Sequence, residues 1–384
     1  MKKIFKYSMM FVAALALTAG FSSCSNNDDG DVFYVQGSLL QTVNEEYVDN
    51  TVVPTYRKLA DCSRDLAEAV ADMKTDADVE KAGTAWKASR KWWEYSEAFL
   101  FGPAGNFSID PHIDTWPFDK TMFDNLMNKY NPATNPDDAA LIDHNIKTSQ
   151  NLTGFHAVEY LIFRDGACRH IADITPDEMY FIKAAATDLY LNALKLVSAW
   201  GGDVTEAEQA MLDADEFDSM DYGVDFKNAG KSGSTYSTIL LASRQIISGA
   251  QDIIGEVRDS KIGSPANGED ENYIESPYSY NSITDFYDNI MSCKHALYGG
   301  ADVDGATPKS TSLIGVCLTM NETKELATEV MTTLENALSK IAAMKKPFVL
   351  YYTDKSAKDA MDALDDLETA LDNLDIQLSE AHLN

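Results

Sequence analysis

Hydrophobic residues recur at helical spacing along most of this chain, and that periodicity constrains the fold more than any other feature of the sequence. Apolar positions three and four residues apart are typical of an amphipathic helix, whereas the strict alternation of a half-buried strand is scarce here. Long amphipathic helices bury their apolar stripes against other helices. The pattern therefore predicts an all-α protein made of helical bundles.

The 384 residues are enough for two domains of ordinary size. A glycine-rich stretch interrupts the helical pattern near the middle and is typical of a boundary. We therefore predict an N-terminal bundle over residues 38–202, a linker region over 203–234 and a C-terminal bundle over 235–384, packed side by side.

Start and stop signals set several helix boundaries. Thr75 can cap a helix that we expect to continue to Leu100, before Gly102-Pro103 ends it. Apolar periodicity predicts one helix over roughly 139–163. Thr175, followed by proline and two acids, is a strong helix start.

The N-terminus has the pattern of a targeting segment. Lysines precede an apolar run from Met9 to Ala19, and small residues lead to Cys24. This pattern predicts a signal peptide over 1–23 and a lipid-modified Cys24 that begins a polar tether over 24–37. The alternative is a plain signal peptide with an incidental cysteine. The lipoprotein interpretation places the protein on the outer membrane, facing the periplasm or the cell surface, with the membrane as a partner through its lipid.

The composition is strongly acidic, with 61 Asp and Glu against 31 Lys and Arg and a formal net charge of −30. Binding to nucleic acid or to an anionic lipid surface needs clustered basic residues. We therefore expect no nucleic-acid partner.

The segment from Gly154 to Phe163 combines an imidazole and a carboxylate in an apolar setting. His156 and Glu159 are three residues apart, so they share one face of the predicted helix. Such a pair can bind one divalent ion, although two ligands do not complete a site. The alternative is a hydrogen-bonded His–Glu pair with a structural role, because buried polar groups need partners.

The segment around Trp93 carries charges on an apolar stripe. Arg90, Trp93 and Glu97 fall on one helical face if the helix continues through them. Buried charges need compensation, so Arg90 and Glu97 indicate either a functional site or a structural ion-pair network.

Two further segments combine acids with aromatic or hydroxyl groups. Asp114 and Trp116 lie in a proline-rich loop suited to a pocket rim, although Asp114 could instead form an Asx turn. The other segment runs from 275 to 286 and offers carboxylates and hydroxyls for a polar ligand. Its candidates are Glu275, Ser279, Ser282 and Asp285. Ser282 and Asp285 also fit a helix capping box, which requires no function.

Taken together, the four segments resemble the imelysin family, classed as M75 peptidases. The GxHxxE motif of that family corresponds to Gly154, His156 and Glu159. Its other segments correspond to 96–103, 114–117 and 275–286. The resemblance covers most of the chain from about residue 38 and implies two related helical bundles with the shared residues between them. It implies a metal site at His156, Glu159 and Glu97, which are also the candidate catalytic residues, and ligand contacts from Arg90, Asp114, Trp116 and the 275–285 group.

The resemblance leaves three interpretations open. The first, which we prefer, is a tethered lipoprotein that binds a divalent metal, iron or zinc, or a small polar ligand, and works with iron-uptake components. The second is a zinc metallopeptidase that uses the HxxE pair, although the chain lacks the HExxH motif of common zinc proteases. The third is a buried polar network that aligns the two bundles without metal.

Overall fold

Amphipathic α-helices make up most of the structure, a computed structural model that describes residues 33–303, 305 and 307–384, the side chain of Glu271 excepted. The predicted signal peptide, Cys24 and the first part of the tether lie outside the described residues. The all-α class and the bundle arrangement are confirmed, because only two short pairs of two-residue strands occur among the described residues.

Among the described residues, eleven α-helices form the first half, and the one at Val53–Ala71 packs against those at Asp76–Glu94 and Pro176–Ala199. They are α1 (Gly37–Tyr47), α2 (Val53–Ala71), α3 (Asp76–Glu94), α4 (Pro103–Asn106), α5 (Asp110–Ile113), α6 (Lys120–Lys129), α7 (Pro136–Thr148), α8 (Gly154–Ile162), α9 (Pro176–Ala199), α10 (Glu206–Ala214) and α11 (Tyr222–Lys227). A π-helical segment, Val48–Val52, joins α1 to α2, and short 3-10 turns cover Glu97–Phe99 and Ile171–Asp173.

In the second half, Lys324–Ala342 packs against Lys355–Ser379, and Ile239–Gly255 packs against both Ser282–Tyr298 and Lys355–Ser379. Its helices are α12 (Ile239–Gly255), α13 (Ser264–Ala266), α14 (Ser282–Tyr298), α15 (Leu313–Cys317), α16 (Lys324–Ala342), α17 (Phe348–Tyr351) and α18 (Lys355–Ser379). A second π-helical segment, Glu256–Gly263, follows α12, and a 3-10 turn covers Glu271–Tyr273.

Two strand pairs tie distant parts of the chain together. β1 (Tyr34–Val35) pairs in parallel with β4 (His382–Leu383), so the two ends of the described chain meet. β2 (Phe163–Arg164) and β3 (Ala167–Cys168) form a small antiparallel hairpin after α8. None of the described helices is both long and apolar enough to cross a bilayer.

Helices from the two predicted halves pack on one another. Helix α1 contacts α12, and α3 contacts both α8 and α14. The segment 203–234, expected as a linker, carries α10 and α11. Residues 33–384 form one compact unit, and the boundary at 203–234 stays a prediction.

Helix boundaries agree with the sequence where a cap was visible. Thr75 and Thr175 both form capping boxes, and α9 starts with Pro176 in its first turn. Two expectations were wrong. Helix α3 ends at Glu94 rather than Leu100, and the single helix expected over 139–163 is two helices separated by the turn at 149–153.

Candidate functional site

Gly154 fixes the position of α8 and therefore of His156. Its φ is +77°, a left-handed conformation that glycine adopts without strain. A Cβ atom at this position would lie 2.1 Å from the carbonyl oxygen of Ile113. The start of α8 can therefore approach the backbone that immediately precedes Asp114, which brings two motif segments together.

His156 is buried beside Asp114. The ring is 1% exposed, and its Nε2 lies 3.1 Å from Oδ1 of Asp114, while its Nδ1 lies 3.7 Å from Oε2 of Glu159. Neither ring nitrogen has a well-directed hydrogen bond, and the Trp116 ring packs against the imidazole at an angle of 53°, with the ring centroids 4.5 Å apart. Burial alone would lower the pKa of His156, but the Asp114 and Glu159 carboxylates outweigh it and raise this pKa above its ordinary value.

Arg90 is the central cation of the site. Its guanidinium pairs with Asp114 and Glu94 at short range, with Glu275 at 2.8 Å, and approaches Asp285 at 3.9 Å. The Asp114 carboxylate also accepts a hydrogen bond from Nε1 of Trp93 at 2.6 Å. Burial opposes the charge on Asp114, but Arg90 prevails and lowers the pKa of Asp114 below its usual range.

Glu159 holds the loop that leads into α14. Its Oε1 accepts hydrogen bonds from the backbone N–H of Tyr278 at 3.0 Å, the backbone N–H of Ser279 at 2.7 Å and the Ser279 hydroxyl at 2.7 Å. Residues at both ends of this loop, Ser276 and Tyr280, adopt left-handed backbone conformations. Glu159 therefore stabilises a strained turn and leaves only its Oε2 without a hydrogen bond.

Lys261 is the second buried cation, and it comes from the π-helical segment after α12. Its ammonium lies 3.1 Å from Oε1 of Glu275 and 3.8 Å from Oε2 of Glu94, and it donates a hydrogen bond to Asn289. Asn289 in turn donates to Glu94. Sequence reasoning missed Glu94, Lys261 and Asn289. The spacing of four between Arg90 and Glu94 was a usable signal, whereas nothing in the sequence marked Lys261 or Asn289.

Carboxylates outnumber cations in this cluster. Each of its carboxylate side chains is less than a tenth exposed: Glu94, Glu97, Asp114, Glu159, Glu275 and Asp285. Arg90 and Lys261 are the fixed positive charges among them. Burial raises the pKa of Glu94 and of Glu97 and raises that of Asp285 to about 7. The cluster can therefore accept protons or an additional cation.

Three sets of ligand atoms lie within 4.8 Å of one another in the part of the chain that the structure describes. They are Asp114–His156–Glu275, Glu94–Glu97–Asp114 and Glu94–Glu275–Asp285. The trio predicted from the family, His156, Glu159 and Glu97, is not among them. The difference arises because Oε1 of Glu159 is committed to the 278–279 loop and because the end of α3 at Glu94 places Glu97 on a separate turn.

The other predicted residues lie in or beside the same cluster, but one interpretation of Ser282 was wrong. The Ser282 hydroxyl donates to the backbone oxygen of Glu275 at 2.6 Å, and Asp285 accepts from Asn281 at 2.6 Å. The capping-box interpretation of Ser282 was wrong, since Asn281 occupies the N-cap and no side chain caps α14. Unpartnered acceptor atoms remain on Glu275 and Asp285, so the donor set fits a cation better than a closed ion-pair network.

The fold and this cluster define an all-α protein with a buried, carboxylate-rich site around one histidine. Residues 52–377 match the Peptidase M75 family model, described as imelysin. The chain belongs to the imelysin family.

Individual relatives agree with this assignment. Iron-regulated protein A of Synechococcus elongatus (strain ATCC 33912 / PCC 7942 / FACHB-805) is 29% identical over 293 residues, which cover 76% of this chain and 70% of the relative. A protein of Parabacteroides distasonis ATCC 8503, solved as a proposed iron-regulated protein A precursor, superposes with a TM-score of 0.76 at 25% identity, over 90% of this chain and 96% of that one. An imelysin-like protein of Psychrobacter arcticum 273-4 shares the fold, with a TM-score of 0.62 at 13% identity over 88% and 95% of the two chains.

Proposed function

We propose that the protein is a cell-envelope lipoprotein that binds a divalent cation, iron foremost, at Asp114, His156 and Glu275 as part of iron uptake. One observation carries the proposal. A fully buried imidazole has no well-directed hydrogen bond on either nitrogen and lies among more carboxylates than cations. Unpaired buried polar groups are costly, so such a site favours an ion that satisfies them.

The donor chemistry supports this choice of ion. Carboxylate oxygens with one imidazole suit iron or manganese, whereas a thiol-rich site would suit softer metals. The Synechococcus relative is named as an iron-regulated protein, which is consistent with a role in iron handling for this chain. The expected partners are iron-uptake components of the envelope and the membrane, through the lipid on Cys24.

A zinc peptidase is the second candidate. It is favoured by Oε2 of Glu159, an unpartnered carboxylate oxygen 3.7 Å from His156 that could serve as a general base beside a metal-bound water. The burial of the cluster argues against it, because a polypeptide substrate would need the site to open before its amide could reach the metal.

Calorimetric titration of metal-free protein with Fe²⁺ under anaerobic conditions, then with Zn²⁺ and Ca²⁺, tests the proposal. We expect wild type to bind Fe²⁺ at one site, and His156→Ala to lose that binding. His170→Ala is the matched control, because His170 is exposed and pairs with Asp76, outside the cluster.

Equal binding by wild type and His156→Ala would overturn the metal site. No binding by wild type, with a large loss of stability in His156→Ala, would instead favour the buried polar network. Digestion of unfolded peptides by the zinc-loaded protein, abolished in Glu159→Gln, would favour the peptidase.

A further inference from the structure

The guanidinium of Arg90 occupies the middle of the candidate cation site. Arg90 is fully buried, and its guanidinium lies over the Phe155 ring, 5.3 Å from the ring centroid. Its Nη1 pairs with Asp114, and its Nη2 pairs with Glu94 and Glu275. One side chain therefore links all three sets of ligand atoms described above.

The atoms that Arg90 contacts are the atoms that a metal would need. Oδ1 of Asp114 faces both the guanidinium and Nε2 of His156, the latter at 3.1 Å. Oε1 of Glu275 faces Arg90 at 2.8 Å and Lys261 at 3.1 Å, while its Oε2 has no partner. A cation bound by Asp114, His156 and Glu275 would share these oxygens with a fixed positive charge at contact distance.

We propose that Arg90 is an internal competitor of the bound cation and sets the affinity of the site. The inference rests on the proposed function, since it concerns the same three ligands. Binding of a metal would require the guanidinium to withdraw from Asp114 or Glu275, and Glu94 and Asp285 are the carboxylates placed to retain it. Metal binding and the Arg90–Asp114 pair are then reciprocally linked, so that weakening either one strengthens the other.

The opposite role for Arg90 is that of a support, whose ion pairs hold the carboxylates in place for the metal. The two roles predict opposite effects of removing the charge. Like charges at contact distance repel strongly in a buried site, so loss of a competing guanidinium should tighten metal binding by at least about tenfold. Loss of a support should weaken or abolish it.

Isothermal titration of metal-free Arg90→Gln with Fe²⁺ and Zn²⁺ distinguishes them. Glutamine keeps hydrogen-bonding capacity and removes the charge. Arg57→Gln is the matched control, because Arg57 pairs with Glu208 and Asp61 outside the cluster. Circular dichroism and the unfolding midpoint of each variant establish that it is folded, and Arg90→Lys serves as a second variant that retains the charge if Arg90→Gln does not fold.

We expect tighter metal binding in Arg90→Gln and wild-type affinity in Arg57→Gln. The ammonium of Arg90→Lys is a point charge without the paired nitrogens of arginine, so we expect its affinity to lie between those of wild type and Arg90→Gln. Unchanged or weaker binding in Arg90→Gln, with wild type binding normally, would overturn the competitor role and leave the proposed function standing. Binding by Arg90→Gln but not by wild type would support the competitor role and overturn the proposed function. Binding by neither would overturn both, since a site freed of the guanidinium would still refuse a cation.

Discussion

Glu159 illustrates how a residue of a metal-type motif can be used for structure. Its Oε1 accepts three hydrogen bonds from the 278–279 loop, two of them from backbone N–H groups. The loop also contacts the β2–β3 hairpin, where the backbone N–H of Gly166 donates to the Tyr278 oxygen at 2.9 Å. Glu159 therefore positions the segment that delivers Glu275 and Asp285 rather than completing the ligand set around His156.

Removing the Glu159 carboxylate should destabilise the protein. Glu159→Ala leaves three donors without this acceptor, two of them buried and one partly buried, and we expect a loss of about 3 kcal/mol in the free energy of unfolding. Glu159→Gln retains a carbonyl acceptor and should lose less. Urea denaturation measures both, with the exposed Glu68→Ala as control. A Glu159→Ala protein as stable as the control would contradict the structural role.

The titration of Asp288 should lower the free energy of unfolding as pH rises. Burial, reinforced by Asp285, raises the pKa of Asp288 from its ordinary 3.8 to about 8. Between about pH 4 and about pH 8 the folded state holds a proton that the unfolded chain releases, so rising pH favours unfolding across that interval.

Asp288→Asn removes this titration. At about pH 8 we expect the variant to be more stable than wild type by about 1–3 kcal/mol, with the difference shrinking toward about pH 5. Denaturant titrations across this range measure it, and Asp72→Asn, at a side chain that is 90% exposed, is the control. A constant difference between Asp288→Asn and wild type at every pH would show that Asp288 does not titrate in this range.

At the scale of elements, the break before α8 matters most for the site. In a continuous helix through 139–163, His156 would lie on the same rigid helix as the residues of α7. The turn and Gly154 instead let α8 pack directly on the Ile113 backbone. The sequence contained this signal in the glycine of its GxHxxE motif. Hydrophobic periodicity concealed it, because apolar residues continue on both sides of the turn.

Gly154→Ala should therefore disrupt the site as well as the helix start. The added Cβ meets backbone atoms of Ile113, which cannot move aside as a flexible side chain could. We expect a loss of at least about 2 kcal/mol in the free energy of unfolding, together with weaker metal binding. Gly233→Ala is the matched control, since Gly233 also has a positive φ but nothing within 4 Å of its Cβ position. Equal effects of the two substitutions would show that the contact with Ile113 is unimportant.

At the scale of the whole molecule, residues from distant segments converge on one buried cluster. Asp114, His156 and Glu275 could be proposed from the sequence because each lies in a segment that resembles the family, and Arg90 because it is a charge on an apolar helical stripe. Lys261 could not, since its place depends on a π-helical segment and on how α12, α14 and α18 pack. Local caps also predicted helix starts well, whereas the end of α3 at Glu94 depends on packing that no local signal records.

The proposed lipidation of Cys24 concerns the whole molecule because it would determine where the site operates. Cys24→Ser should abolish incorporation of labelled fatty acid and move the protein from the membrane fraction to the soluble fraction, since the lipid on Cys24 is the proposed anchor. Metabolic labelling and fractionation measure both effects, with Cys62→Ser as control. Continued membrane association and labelling of Cys24→Ser would contradict the lipoprotein proposal.

The most direct test of the central claim is anomalous diffraction from crystals of the protein grown anaerobically with Fe²⁺. We predict one strong iron peak within bonding distance of Asp114, His156 and Glu275, with Arg90 withdrawn from at least one of the two carboxylates. Saturating iron that leaves those three residues without a peak, and Arg90 still paired with both carboxylates, would contradict it.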